Sequence, residues 1–181
     1  MSRVGNFSSS SIHDLTSKGR GNFSIENTGK PFETYIEEKA FERGLGRSLS
    51  SDHNAKSTSW GTLVEKVAFD KMGLNYQLVS KDRYYHEDYK DYWSGMPDLL
   101  TEDLVGDIKC PWTLKSFCKA VKCIRVYNKT GDLSLFKKHH SDWYWQLVSN
   151  AILCKKDRAI FVVYCPFKED LAEIKELAEE S

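Results

Sequence analysis

Gly95-Met96-Pro97-Asp98, followed nine residues after Asp98 by Asp107-Ile108-Lys109, is the part of the chain with the most chemistry in the least sequence. Side chains alternate faces along a strand, so Asp107 and Lys109 point the same way while Ile108 turns to the core. Thr101 to Asp103, with Gly106, supplies turn material between two β-favouring runs, Met96–Leu100 and Leu104–Cys110. This spacing predicts a hairpin that sets Asp98 beside Asp107. Two adjacent carboxylates repel unless positive charge lies between them, and a divalent cation supplies it best. Lys109 adds an ammonium. Phosphodiester hydrolysis needs a nucleophilic water and stabilisation of charge on the phosphoryl oxygens, and a metal and an ammonium together supply both. Pro-Asp and Asp-x-Lys are each common alone; their combination at hairpin spacing carries the reading.

Working outward, Trp60, Leu63, Val64, Val67, Ala68 and Met72 recur at helical spacing, and Gly73 stops the run. Glu65 lies on this helix, flanked at helical offsets by Gly61, Ala68 and Phe69. A carboxylate on so apolar a flank needs a partner, and the metal site is the candidate. Upstream, Pro31 opens a helix over Phe32–Leu45, a Ser-rich link covers Ser48–Ser59, and residues 1–30 form a mostly irregular arm with a short helix near Ile12–Ser17. Between Tyr76 and Cys110 the short runs Tyr76–Ser80, Arg83–Tyr85, Met96–Leu100 and Leu104–Cys110 predict a β-meander. Thr113–Lys122 reads as helix, Asn128–Gly131 as a turn, and Ser134–Lys155 as one long helix. Ala159–Tyr164 is a buried-looking strand, and Phe167–Glu180 is a polar helix after Pro166. The expected fold is α/β, a single domain over 1–181 with a central mixed sheet flanked by helices, an N-terminal arm (1–30) docked on the active-site face and an acidic C-terminal helix (167–181).

The 181 residues carry 26 Lys/Arg and 26 Asp/Glu, with 40% hydrophobic residues, a composition suited to one globular domain. The zero net charge conceals segregation: residues 112–158 hold 10 Lys/Arg against 3 Asp/Glu, whereas residues 61–111 hold 6 against 10. An acidic segment followed by a basic one suits a metal-dependent enzyme acting on a polyanion. The five cysteines form no CxxC pair and read as reduced thiols. No apolar run is long enough to span a membrane, and Met1–Ser11 lacks the apolar stretch of a signal peptide, so a cytoplasmic location is expected. Adjacent His139 and His140 diverge around a helix and make a poor metal pair. The cysteine spacing lacks the close trio of a cluster site, and no phosphate-binding GxxxxGK[ST] loop occurs. Trp112 and Tyr127 are candidates for base stacking.

Pro97-Asp98 with Asp107-Ile108-Lys109 resembles the PD-(D/E)XK nuclease superfamily, whose core is restriction-endonuclease-like. Gly95-Met96-Pro97-Asp98 and Asp107-Ile108-Lys109-Cys110-Pro111 are similar to the viral-type alkaline exonucleases, the YqaJ and lambda exonuclease group. Trp143-Tyr144-Trp145-Gln146-Leu147 resembles that group's aromatic-then-Gln helix, and periodicity puts Gln146 on a polar face with Asp142, Ser149 and Asn150. The segment Arg3 to His13 resembles the group's opening Arg- and Ser-containing stretch. Two departures stand out: Met96 occupies a position where some relatives place a phosphate-binding Ser, and the chain closes with one acidic helix after Pro166.

The resemblance implies a Mg²⁺-dependent exonuclease, with Mn²⁺ as a substitute, that digests duplex DNA ends 5′→3′ in phage-type homologous recombination, in a bacterial or phage-infected cell. Asp98, Asp107 and the Ile108 carbonyl would hold the metal, with Glu65 completing the shell directly or through water. Lys109 would orient the attacking water and Gln146 position it or the adjacent phosphate, while Arg3 and Ser10, with Gln146, would hold the 5′-phosphate. Implied partners are double-stranded DNA ends, a single-strand annealing protein and, in a ring threaded by the duplex, two further copies of the chain as a homotrimer. The alternatives are a PD-(D/E)XK endonuclease, of junction-resolving or restriction type, and a catalytically idle DNA-binding or inhibitory protein on the same fold.

Overall fold

The computed structural model describes residues 4–21, 24, 26–48, 56–72, 77–78 and 82–179. Along the chain these form β1 (Phe7–Ser8), a 3-10 helix (Ser9–Thr16), α1 (Lys30–Leu45), α2 (Lys56–Lys71), β2 (Gln77–Leu78), β3 (Tyr84–Tyr85), β4 (Trp93–Gly95) and β5 (Leu99–Leu100). There follow β6 (Leu104–Lys109), α3 (Leu114–Thr130), α4 (Ser134–His139), α5 (Ser141–Leu153), β7 (Arg158–Val163) and α6 (Asp170–Glu179). They cluster into two units interleaved in sequence. The first takes β1, the 3-10 helix, α1, β3, β4 and α5; the second takes the remaining elements.

The second unit is the expected α/β core. Its mixed sheet has the order β2-β5-β6-β7, antiparallel across β2, β5 and β6 and parallel between β6 and β7. Strand β6 is buried through Val105, Gly106, Asp107 and Ile108, as a central strand must be. Gly106 is required there: a Cβ would lie 2.6 Å from Leu99 Cδ2 and 2.8 Å from Ile160 Cγ2, so its absence lets β5 and β7 close on β6. Helix α2 packs on β6 and on α6. Val64 and Val67 are fully buried against Ile174, with Trp60, Leu63, Cys110 and Tyr164 around them. Each such valine contributes about 1.5–3 kcal/mol by leaving water. Helix α3 packs on α4 and β7, and Phe136 of α4 meets Phe161 of β7 edge-on at 5.0 Å.

In the first unit the N-terminal arm is ordered by hydrogen bonds. Strand β1 lies parallel to β4, which pairs antiparallel with β3. The Ser8 amide donates to Tyr35 Oη at 2.9 Å, and the Gly5 amide donates to the buried Glu42 at 2.9 Å. The 3-10 helix packs on α5, where the Ser9 and Ser149 hydroxyls lie 2.8 Å apart and the Trp93 indole N–H donates to Ser149 at 2.8 Å.

Several local expectations give way to tertiary pairing. The meander is absent: β3 joins β4 and β1 in one sheet, while β2, β5 and β6 lie in another. Strand β4 went unforeseen because its parallel partner lies more than eighty residues upstream (Phe7↔Trp93), beyond any local pattern. The end of the Ser-rich link is helical, since α2 begins at Lys56; residues 49–55 lie outside the described set. The turn expected over Asn128–Gly131 contracts to Gly131 alone, which caps α3 at φ 73° after the helix has run through Thr130. The long helix breaks at His140, whose φ −140° and ψ 52° leave the helical region, and α5 restarts at Ser141. The C-terminal helix begins at Asp170 rather than Phe167, and residues 180–181 lie outside the described set.

Candidate metal centre and active site

Four of the expected residues, Asp98, Asp107, Ile108 and Lys109, meet at the end of the β5–β6 pair. Leu99 is paired with Gly106 and Leu100 with Val105, a register that carries Asp98 toward the end of β6. Asp98 Oδ2 accepts a 2.7 Å hydrogen bond from the Ile108 amide. Successive residues of a strand direct their backbone groups to opposite edges. The Lys109 carbonyl accepts from Tyr164 on the β7 side, so the Ile108 amide and carbonyl both face the Asp98 edge. The Ile108 side chain is 3% exposed and sits in the core, as the alternation predicts.

Asp107 and Lys109 share a face: Lys109 Nζ lies 2.8 Å from Asp107 Oδ2. That face is not open surface. Asp107 is 0% exposed, and among the described residues its Oδ1 has no hydrogen-bond partner. Burial pushes the Asp107 carboxyl well above the usual carboxylate range; Lys109 opposes the rise and neighbouring Asp98 adds to it. Glu65, half-buried on α2, is raised to about 7, first by burial and then by Asp98, with Lys109 acting against the rise. Burial alone would lower the Lys109 ammonium, but Asp107, Asp98 and Glu65 outweigh it and hold Lys109 above its ordinary value. The four residues are thus one electrostatic group with three acids and one base.

Such a group fits a hard divalent cation. A buried carboxylate oxygen without a donor, beside a second carboxylate and a backbone carbonyl edge, offers the oxygen donors that Mg²⁺ and Mn²⁺ prefer. Among the described residues no three His, Cys, Asp or Glu side chains form a complete ligand cluster, so the donors that fit direct ligation are Asp98, Asp107 and the Ile108 carbonyl. Burial pushes the adjacent Cys110 thiol up to about 12, so it stays protonated and inert.

The remaining expected residues are described each within its own unit. Gln146 is half-buried on α5 in the first unit, and the polar face expected for it holds the fully buried Asn150 and the buried Ser149. Ser10 is exposed on the 3-10 helix, its hydroxyl 3.0 Å from that of Ser8. Arg3 lies outside the described residues. Trp112 is 57% exposed and meets Trp60 of α2 edge-on at 5.1 Å; Tyr127 is exposed on α3. Sequence reasoning missed the Ile108 amide as the group that orients Asp98. The hairpin register held that signal, because pairing Leu99 with Gly106 leaves the amide of Ile108 facing the residue before Leu99.

The mixed sheet flanked by helices is an α/β fold, and solved exonucleases share it. The alkaline exonuclease LHK-Exo of Laribacter hongkongensis superposes with a TM-score of 0.64 at 18% identity, over 98% of this chain and 88% of that one. The same enzyme in complex with dAMP gives 0.66 at 18% identity over the same shares. A phage-related exonuclease of Haemophilus somnus 129PT gives 0.61 at 18% identity, over 88% of this chain and 68% of that one. No protein-family model matches the sequence, and no curated protein matches it significantly. The resemblance read from the motifs to the YqaJ and lambda exonuclease group therefore extends to the fold.

Proposed function

We propose that this protein is a Mg²⁺-dependent DNA exonuclease that hydrolyses phosphodiester bonds from duplex ends in the 5′→3′ direction. The observation that carries the proposal is the buried, under-partnered Asp107 carboxylate beside Asp98, with the Lys109 ammonium on the same face. The shared fold with alkaline and phage-related exonucleases supports it.

Asp98, Asp107 and the Ile108 carbonyl would hold the ion, with Glu65 reaching it through water and Mn²⁺ able to replace Mg²⁺. When bound, the ion supplies an acidified water and offsets charge on the scissile phosphate. The Ile108 amide keeps Asp98 turned toward the site. Lys109 stays protonated beside three acids and donates to the attacking water or to a phosphoryl oxygen as its negative charge grows. Glu65, which shares the electrostatic surroundings of Asp98 and Lys109, would be the group to accept a proton from that water. Gln146, Ser10 and Arg3 belong in this reading to the 5′-phosphate end of the substrate. No helix among the described residues is long and apolar enough to cross a membrane. The proposed setting is the cytoplasm of a bacterial or phage-infected cell, with recombination the role and a single-strand annealing protein and two further copies of the chain the partners.

The test is an end-labelled linear duplex, with and without a 5′-phosphate, incubated in Mg²⁺ or in chelator, beside covalently closed circular DNA. Release of 5′-terminal nucleotides from the linear duplex in Mg²⁺ alone, with the circle uncut, is the expected result. Cleavage of the circle would make the protein an endonuclease, and undiminished activity in chelator would remove the metal site.

A further inference from the structure

Helices α3 and α4 present a one-signed surface that the cleavage chemistry does not use. Lys115, Lys119, Lys122, Arg125 and Lys129 recur along α3 at intervals of three or four residues, and every one is exposed. That spacing stacks them on one helical face. Helix α4, packed on α3, adds exposed Lys138 and His139. Neither helix contains an acidic residue. Asp132, in the loop between them, is engaged by the Ser134 amide at 2.8 Å and the Ser134 hydroxyl at 2.7 Å. Among the described residues, Lys119, Lys122, Arg125, Lys129 and Lys138 form no ion pair. His139 reports the same field: burial, then Lys119, Lys138 and Lys122, push it below its ordinary value.

Like charges at i,i+3 and i,i+4 destabilise a helix by a few tenths of a kcal/mol per pair. A face that carries four such pairs in succession along α3, with no internal counter-charge, is set against its own stability and in favour of an external polyanion. The spacing also suits one. Lys115 to Lys129 spans roughly 21 Å of helix at about 1.5 Å per residue. One strand of duplex DNA places a phosphate about every 3.4 Å along its axis, so roughly six phosphates match the length of the stripe.

We propose that the α3–α4 face, through Lys119, Lys122, Arg125, Lys129 and Lys138, binds the phosphodiester backbone of DNA outside the cleavage site. The assignment deepens the exonuclease reading and rests on it for the choice of polyanion. A surface of this kind holds the substrate without reading its sequence, and its contribution weakens with salt.

The experiment measures binding of a fluorescent duplex and of a single strand of equal length, in chelator, across a series of salt concentrations. It compares the full chain with the variant Lys119→Ala/Lys122→Ala/Arg125→Ala/Lys138→Ala. Removing four backbone contacts lowers the slope of log K against log salt by about 3.6 for duplex, or about 2.8 if the single strand is the occupant. A loss confined to one of the two probes assigns the face to that form of DNA. Lys119→Arg/Lys122→Arg/Lys138→Arg keeps the slope, and Lys168→Ala/Lys175→Ala, at the other end of the chain, leaves it unchanged. A quadruple variant with the wild-type slope on both probes overturns the assignment. Hydrolysis by the wild type at low salt is scored separately: if it is absent while the slope change is present, the exonuclease reading fails and the backbone-binding face stands.

Discussion

Two buried aspartates in the second unit, Asp107 and Asp170, show opposite ways of keeping a carboxylate out of water. Asp170, 2% exposed, is fully engaged: Lys71 lies 3.0 Å from one oxygen, while the Tyr164 hydroxyl and the Phe167 amide donate to the other. Those hydrogen bonds, Tyr164's first, hold its carboxyl below the usual range. Asp107, 0% exposed, has one lysine and a second acid for company, and its carboxyl is pushed up. Asp170 fastens α6 to α2 and to the end of β7. Asp107 pairs with Lys109 of its own strand and, among the described residues, leaves Oδ1 without a donor, which is costly for a buried acceptor. In the proposed reading that cost is accepted for chemistry rather than architecture.

The strongest way to break the comparison is to remove the misfit acid. Asp107→Ala should reduce hydrolysis of a labelled duplex to background, because one carboxylate and a carbonyl hold a divalent ion poorly. In thermal melts Asp107→Asn should match or exceed the metal-free wild type. Saturating Mg²⁺ should raise the wild-type Tm, by the equivalent of about 2.7 kcal/mol at a hundred times Kd, and leave the variant unmoved. A destabilised Asp107→Asn that still cleaves DNA would make Asp107 a structural residue like Asp170.

Lys109→Ala comes next. Its ammonium acts at the reacting phosphate but is one charge among many for affinity, so the rate should fall by several orders of magnitude, with DNA binding in chelator close to wild type. Equal losses in rate and affinity would reduce Lys109 to a general phosphate contact.

The carboxylate pair and the lysine were legible in the sequence because strand alternation and hairpin spacing are local properties, and both survive in Asp98, Asp107 and Lys109. Burial was not legible. Periodicity put Asp107 and Lys109 on a surface, whereas the packing around β6 closes over Asp107. The break at His140 was written in Ser141-Asp142, residue types that open helices, but the apolar pattern continues across it and masks the signal. Of the first unit's sheet only β3, within the run Arg83–Tyr85, was legible, since the defining pair joins Phe7 to Trp93. Gln146 shows the limit of a helical wheel: the polar face through Ser149 and Asn150 is buried against Ser9 and Trp93, not solvated.

A smaller effect tests whether the geometry of the misfit depends on the sheet. Gly106→Ala drives a methyl group into Leu99 and Ile160, which should destabilise the protein by about 1–3 kcal/mol through overpacking. Because Gly106 adjoins Asp107 and pairs with the residue after Asp98, the same change separates the two carboxylates. The expected result is weaker Mg²⁺ stabilisation in melts together with reduced hydrolysis. A variant that loses stability but keeps its full Mg²⁺ response would show that the acids are positioned independently of the β5–β6 spacing.

The smallest effect belongs to the satisfied acid. A carboxyl held below its unfolded value stabilises the fold above the unfolded pKa, near 4, and loses that contribution as pH falls through the folded one. Asp170→Asn should therefore lower Tm by a few degrees at pH 7, and the gap from wild type should narrow steadily on acidification below about pH 4. Because α2 carries Glu65 on the helix that α6 supports, hydrolysis at moderate temperature should stay within about twofold of wild type, and the loss should appear only as the variant approaches its own Tm. If the gap instead stays constant from pH 7 to pH 3, the Asp170 network acts through shape and not charge. The contrast with Asp107 would then rest on hydrogen-bond count alone, with three donors at one acid and a single lysine at the other.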